Sequence, residues 1–394
     1  MPCVKRAERE KQEAFIKQNQ KVVDPYKEAK DNVDILLIMH RTRNIDPLIK
    51  EIELSLSKTE VASQLSEVQF DRLSDEIVSL IEKGKGTVAC EIACTLRRVT
   101  TFDFTRILEA LLAQDELGIP FLFLGASAQI RDELIKRVKY SPLEALTALA
   151  WIGDEKVVQH FHKWKRDFRE EYSELFEYPH GCTYTAGWEL TTDSERRNLY
   201  LPQAIPLEII QKTASASTHT IFAESNETCR WCQRLLLVMF NLENSEHLLV
   251  DNESDFFEFE IVTCEFCAGL TNALYMEKNG SRTQWSRFNQ AKINLPKWLE
   301  QKPIMPREIL QPSKRVRSAY FTCEAQFEKG ISQIGGLPSW IQWPSYPKCP
   351  SCETTMLFVG QVSEKDLNEF GESLYYAFKC FDCRRVTASS SQST

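Results

Sequence analysis

Four Cys-x-x-Cys pairs, Cys229/Cys232, Cys264/Cys267, Cys349/Cys352 and Cys380/Cys383, crowd into the second half of this sequence. They constrain the fold more than any periodicity does, because thiols at that spacing have to be brought together. One pair alone would fit chance or a redox motif, whereas four, grouped two by two, match the ligand spacing of four-cysteine zinc sites. Thioredoxin-type chemistry needs one exposed pair opening a helix, with a depressed thiol pKa. Thirteen cysteines in a chain with no export signal also argue against a disulfide framework. The expectation is therefore two structural zinc ions per chain, with these eight cysteines as ligands and no open coordination position.

The segments between the pairs indicate how each site closes. Leu235 to Phe240 reads as a strand leaving the first pair and Phe256 to Thr263 as one returning to the second, with the polar, acidic stretch Glu243 to Asp255 between them. The later half repeats the plan: Met356 to Val362, a polar loop with Gly371, then Leu374 to Lys379 leading into Cys380. Residues 229 to 238 lie over residues 349 to 358, which reads as an internal duplication. Closing each hairpin locally costs less chain entropy than exchanging ligands between halves, so the ligands are paired within repeats. Pairing across the pseudo-symmetry axis stays open at this level. A zinc held by four thiolates is anionic, and Arg230, Arg234, Lys348, Lys379, Arg384 and Arg385 are placed to offset that charge or to be plain solvated surface.

Gly335-Gly336-Leu337-Pro338-Ser339-Trp340-Ile341-Gln342, then Pro347 to Cys352, Met356 to Gln361 and the ending Tyr375 to Cys383, resemble the signature of YwqG-like proteins and, similarly, of programmed-cell-death-protein-2-like proteins. The resemblance covers roughly the last 200 residues. It implies a duplicated β-rich domain without an established enzymatic activity, in a group suspected of toxin-immunity or protein-interaction roles. The second branch implies chaperoning of a client protein. The sequence departs from a common knuckle pattern, in which glycine follows the second cysteine, by placing Gln233, Ala268, Glu353 and Arg384 there. Gly335-Gly336 suits a turn needing positive φ or close backbone approach. Trp340 and Trp343 either line a groove for a peptide or, the more ordinary reading, cap a sheet.

The N-terminal half has another grammar. Asp34 to His40, Ile49 to Leu56, Phe70 to Ile81, Ala89 to Leu96 and Phe104 to Leu112 place Leu, Ile or Val at three- and four-residue intervals and are expected as helices. Ser141-Pro142-Leu143-Glu144 reads as a helix start with Ser141 as cap. The run from Ala145 to Val158, one helix stopped by Gly153 and a second opened by Asp154, resembles a HEAT-type repeat. Cys90 and Cys94 share a helix face but lack further ligands, and read as buried thiols. His160 and His162 read as an exposed helix edge.

The resulting architecture is multidomain α plus β: a HEAT-like helical array over 1–170, a linker over 171–201, and zinc-binding β repeats over 202–310 and 311–394. No segment reaches the roughly 20 apolar residues of a membrane span. Met1 to Gln20 lacks the apolar core of a secretory signal, so a cytoplasmic address is expected. A net charge of −8 disfavours a nucleic-acid interface, which draws its affinity from neutralising phosphates. Nucleophile elbows, phosphate loops and His-Glu-x-x-His are absent, and a closed thiolate quartet leaves no site for substrate. The expected function is a non-enzymatic, zinc-stabilised protein-interaction protein of adaptor, immunity or chaperone type, its partner a protein or peptide. A nucleic-acid-associated zinc protein and an unrecognised enzyme are the alternatives.

Overall fold

A computed structural model describes residues 15–41, 46–167, 181–193, 195–210, 221–241, 260–279, 282–289, 309–368 and 371–394. The chain forms two compact units, Met1–Leu122 and Phe123–Thr394. It is a mixed α plus β protein. The acidic connection expected over Glu243 to Asp255, residues 256–259 of the expected return strand and the first ten residues of the expected linker lie outside the described residues.

The first unit pairs strands β1 (Lys21–Val23) and β2 (Ile49–Glu51) in parallel and packs helices α1 (Asn32–Met39), α2 (Lys58–Ala62), α3 (Glu67–Glu82), α4 (Gly86–Val99) and α5 (Thr105–Ala113). Four of the five helices expected here form. The helix expected over 49–56 does not: its first three residues are β2, and the rest is irregular. Ile52, Leu54 and Leu56 recur every second residue, the period of a strand, and Ile49, Ile52 and Leu56 are exposed, so no helical face is buried. Capping fixes the helices that form. Ser57/Glu60 and Ser66/Gln69 make reciprocal capping boxes on α2 and α3. Asp31 caps α1 and also holds Arg72 of α3 through two contacts of 2.9 Å. On α4, Cys90 and Cys94 are both buried. Burial, helped by Glu116, pushes Cys90 up to about 11.

His40, at the C-terminus of α1, is 5% exposed. Its ring stands 3.4 Å from Lys58 Nζ and 3.3 Å from Thr95 Oγ1. Burial, with Lys58 second, pulls its pKa down to about 3. Glu91 lies 3.9 Å from Nδ1 but is 56% exposed, so water screens its opposing pull.

The second unit opens with α6 (Ala128–Arg137), α7 (Pro142–Ile152) and α8 (Glu155–Asp167). The described helices run to Asp167, and the compact division falls at Leu122/Phe123. The reason is packing within this unit: the indole N–H of Trp188 donates to Ala150 O at 2.8 Å, and Arg196 donates to Gly153 O at 2.6 Å. Gly153 stops α7 in the left-handed conformation, φ 54°, and Asp154 Oδ1 accepts from Val157 N to open α8. Ser141 sits at the N-cap of α7 with Pro142 following, but its side chain makes no capping bond, because its backbone (φ −133°, ψ 72°) departs from the extended geometry that capping serines adopt.

After the short α9 (Cys182–Thr185), β3 (Trp188–Leu190) and β4 (Arg196–Asn198) form a hairpin. The remaining strands are β5 (Leu201–Ile210), β6 (Ala223–Thr228), β7 (Leu235–Asn241), β8 (Glu260–Thr263), β9 (Leu274–Asn279), β10 (Arg282–Trp285), β11 (Ile309–Pro312), β12 (Gln333–Gly336), β13 (Leu357–Ser363), β14 (Ser373–Lys379) and β15 (Val386–Ser393). Between β13 and β14 lies the short helix α10 (Glu364–Leu367). One antiparallel eight-stranded sheet runs in the order β10-β9-β15-β14-β13-β12-β5-β11, and β6-β7-β8 form a second. A shared core joins the two, with Leu237, Met239, Phe240 and Ile261 of the small sheet against Ile205, Ile334, Val359, Val362, Tyr375 and Ala377 of the large one. Burying such side chains stabilises by about 1.5–3 kcal/mol each.

Gly335 and Gly336 meet both expectations for the pair: φ is 70° and 68°, and a Cβ on Gly335 would stand 2.1 Å from Gln203 O. They make the irregularity by which β12 leaves β5. The segment beyond is tied down by buried polar groups. Gln361 Oε1 accepts from Ser339 N at 2.8 Å, and Tyr376 OH donates to Ser339 O at 2.9 Å.

Candidate metal centre

Each Cys-x-x-Cys pair sits where a strand begins or ends. Thr228, the last residue of β6, pairs with Leu235 of β7, and the loop between them folds back on itself: Cys229 N donates to Arg234 O (2.7 Å) and Gln233 N to Cys229 O (2.8 Å). The loop before β13 repeats these bonds. Lys348 pairs with Thr355, Cys349 N donates to Thr354 O (2.8 Å), and Glu353 N donates to Cys349 O (2.8 Å). Such a loop turns so sharply that the residue after the second cysteine must be left-handed. Gln233 has φ 61° and Glu353 φ 62°, positions where glycine would be unstrained.

The return strands end directly on the other pairs. β8 runs into Cys264 and β14 into Cys380. Both hairpins carry a bulge at the matching place, between Val238 and Phe240 in the first and between Phe358 and Gly360 in the second. The return knuckles differ. After Cys380/Cys383, Arg384 is left-handed at φ 56°. After Cys264/Cys267 the backbone stays right-handed, with Ala268 N donating to Cys264 O (3.0 Å) and Leu270 N to Cys267 O (3.0 Å).

This backbone brings Cys229, Cys232, Cys264 and Cys267 into one group, and Cys349, Cys352, Cys380 and Cys383 into another, with all four sulfurs of each within 4.8 Å of one another. The sulfurs therefore meet within each hairpin and not across the two. Four thiolates about 2.3 Å from one tetrahedral zinc lie about 3.8 Å apart. The Cys232–Cys264, Cys352–Cys380 and Cys349–Cys383 sulfurs are 3.4, 3.4 and 3.7 Å apart, so each quartet fits one metal ion with a slight expansion. Neither group includes a histidine or carboxylate, and a four-thiolate set leaves no position for water or substrate.

Without a metal the four thiols of a cluster divide their protons unequally. In the first, hydrogen bonding with Cys229 and then with Cys264 and Cys267 drives Cys232 far below the thiol range, while Cys264 and Cys267 are pushed up, in each case first by Cys229. In the second, burial pushes Cys349 up to about 11. Cys352, where burial is outweighed by the Thr354 amide and hydroxyl and by its neighbouring thiols, falls to about 7. A bound dication replaces these shared protons and makes all four sulfurs thiolates.

The surroundings of the two clusters differ. Cys229, Cys264 and Cys267 belong to an apolar core with Leu236, Val262, Phe266, Leu274, Met276 and Trp285. Trp231, inside the knuckle, meets Trp285 edge-on at 4.9 Å, and the Arg234 guanidinium lies 3.8 Å over the Phe266 ring. In the second cluster Cys352 is exposed and Cys383 half-buried, beside exposed Ser351, Glu353, Phe381 and Asp382. Of the six cations noted in the sequence, Lys379 is buried, 2% exposed, next to Cys380; Arg230, Lys348, Arg384 and Arg385 are on the surface. Sequence reasoning missed the apolar shell of the first cluster, since Phe266, Met276 and Trp285 carry no signal beyond being apolar.

The two tryptophans separate. Trp340 packs on Tyr376 (4.6 Å), Tyr346 (5.2 Å) and Phe378 (6.4 Å, 12° between planes), whereas Trp343 is 69% exposed. His160 stacks near Trp164 at 5.0 Å on α8, apart from either thiol cluster. No described helix is long and apolar enough to cross a membrane.

Comparison with known proteins finds no matching family model and no matching solved structure. A protein of Salmonella typhimurium strain LT2, described as uncharacterized protein YpfL, is 31% identical over 405 aligned residues, which cover 100% of this chain and 93% of that relative.

Proposed function

This chain belongs to the family of that Salmonella protein YpfL, and on that premise we propose that it is a protein-interaction protein whose strand-rich unit is held together by two structural zinc ions. The observation that carries the proposal is the pair of closed four-sulfur clusters, each built from two knuckles at the ends of one hairpin. Zinc is the ion of choice for four thiolates in tetrahedral array. A site closed in this way stabilises a fold and offers no position for catalysis, so the work falls to surfaces. The HEAT-like reading of the helices and the YwqG-like reading of the strands point the same way, since helical arrays commonly present protein-binding surfaces.

The same proposal takes the two hairpins as copies of one ancestral unit. Matching bridges at Thr228/Leu235 and Lys348/Thr355, matching knuckle bonds and matching bulges support it, beyond the cysteine spacing alone.

The test is the metal content of the purified protein, with unfolding followed before and after chelation. Two zinc per chain, and loss of the strand-rich transition on chelation while that of Met1–Leu122 persists, are expected. Folding unchanged after complete metal removal would refute structural zinc. For the interaction, the tagged chain expressed in its native host is expected to recover one protein in near-equal amount. Retention on nucleic acid that falls steeply with salt would instead favour the nucleic-acid alternative.

A further inference from the structure

We infer that the two clusters have different jobs: the first holds its zinc permanently, and the second is a peroxide-sensitive site that releases its zinc. This rests on the zinc reading above.

Access differs sharply between two sites of the same donor set. Three cysteines of the first cluster are buried and the fourth, Cys232, is half-buried and, like Trp231, packs against the apolar cluster that contains Trp285. A peroxide or a competing ligand reaches Cys229, Cys264 or Cys267 only after this apolar packing opens, and none of the four is as open to solvent as Cys352. In the second cluster Cys352 is exposed, and the residues beside it on both knuckles, Ser351, Glu353, Phe381 and Asp382, are exposed as well. Oxidation and ligand exchange at a thiolate follow its exposure.

Support differs too. β13 and β14, which carry the second cluster, lie inside the eight-stranded sheet and pair with each other and with β12 and β15. Losing that metal opens the knuckles and leaves the ladder standing. The first cluster is itself part of an apolar core with Phe266, Leu274 and Met276, so losing its metal disturbs side-chain packing as well as the knuckles. One site can therefore open and close while the other cannot.

The chemistry needs only hydrogen peroxide. The Cys352 thiolate attacks one peroxide oxygen, forming an S–O bond as the O–O bond breaks and hydroxide leaves. The Cys380 thiolate, its sulfur 3.4 Å away, then attacks that sulfur, forming the disulfide and expelling a second hydroxide. The two sulfurs lose two electrons, peroxide gains them, and the hydroxides take up two protons from solvent to give water. Cys349 and Cys383 remain as two ligands, too few to keep the ion, and zinc passes to solvent.

The experiment uses the full-length, zinc-loaded chain. Hydrogen peroxide is added with pyridylazoresorcinol present to report free zinc, and disulfides are mapped by mass spectrometry. One zinc equivalent is expected to leave at least tenfold faster than the other, with a Cys352–Cys380 disulfide formed in step. Cys352→Ser is expected to abolish the fast phase and Cys232→Ser to keep it. Should either variant fail to fold, the order of cysteine oxidation in the unsubstituted chain, read by differential alkylation, supplies the same ranking. Release of both ions in one phase, or a fast phase that oxidises Cys232 and Cys264, overturns the inference while leaving two structural zinc ions intact. Fewer than two zinc at the outset overturns the reading beneath it, and this inference with it.

Discussion

Replacing Glu353 by glycine should stabilise the protein, and replacing Ala268 by glycine should destabilise it, although both follow the second cysteine of a knuckle. At Glu353 the backbone has φ 62°. A side chain in that region costs about 1–2 kcal/mol, because Cβ crowds the following carbonyl. Glycine removes this cost but adds about 0.5–1 kcal/mol of unfolded-chain entropy. The net gain is about 0.5–1 kcal/mol, and the exposed Glu353 side chain contributes little to oppose it. Ala268 has the opposite balance. It is fully buried, its backbone continues the turn through a 3.0 Å bond to Cys264 O, and it is not left-handed, so glycine brings only the entropic cost and a lost methyl. The expected loss is about 1–2 kcal/mol. Thermal unfolding of the zinc-loaded protein, read on the transition of the strand-rich unit, should show Glu353→Gly raised by about 1–3 °C and Ala268→Gly lowered by more. Shifts of the same sign would refute the assignment of backbone geometry to the two knuckles.

Other outcomes follow from particular contacts. His40 is charged in the unfolded chain below its ordinary 6.5 but refuses the proton in the folded state until about 3, so stability is constant above 6.5 and falls as pH drops through that window, by up to about 1.4 kcal/mol per unit. His40→Gln should flatten the slope seen by denaturant titration of Met1–Leu122 between pH 6.5 and 4, and an unchanged slope would rule out His40 as its source. Trp340→Ala should cost about 3 kcal/mol in chemical denaturation. Trp340→Phe should cost under about 1.5 kcal/mol, because the indole N–H has no hydrogen-bond partner among the described residues. Trp343→Ala should leave stability unchanged and, if this residue meets a peptide, weaken recovery of the bound partner; equal destabilisation by both alanine variants would contradict their different burial. Gly335→Ala should abolish or severely weaken folding of the strand-rich unit, since the new methyl would meet Gln203 O, and near-wild-type stability would show that β5 and β12 do not approach as described.

What the sequence determined by itself is what chelation and local periodicity determine. A Cys-x-x-Cys step can only make a tight loop, an apolar run beside it can only leave as a strand, and the cheapest closure is the nearest one. The eight clustered cysteines, their grouping and the strands at 235–241, 357–363 and 373–379 were therefore legible, as were Gly153 ending one helix and Asp154 starting the next. Periodicity misled at 49–56, where two spacings overlapped and an unburied segment gave neither a packing advantage. Only tertiary structure decided that β9 lies beside β15 and β5 between β12 and β11, because those pairings join residues far apart in the sequence, such as Gly336 with Leu201 and Ser389 with Leu274. It alone buried His40 and half-buried Trp340 while leaving Trp343 in water, and covered most of one cysteine quartet while exposing Cys352 of the other. Ligand spacing is a property of a few bonds along the chain, whereas solvent access depends on which distant side chains arrive to cover a site.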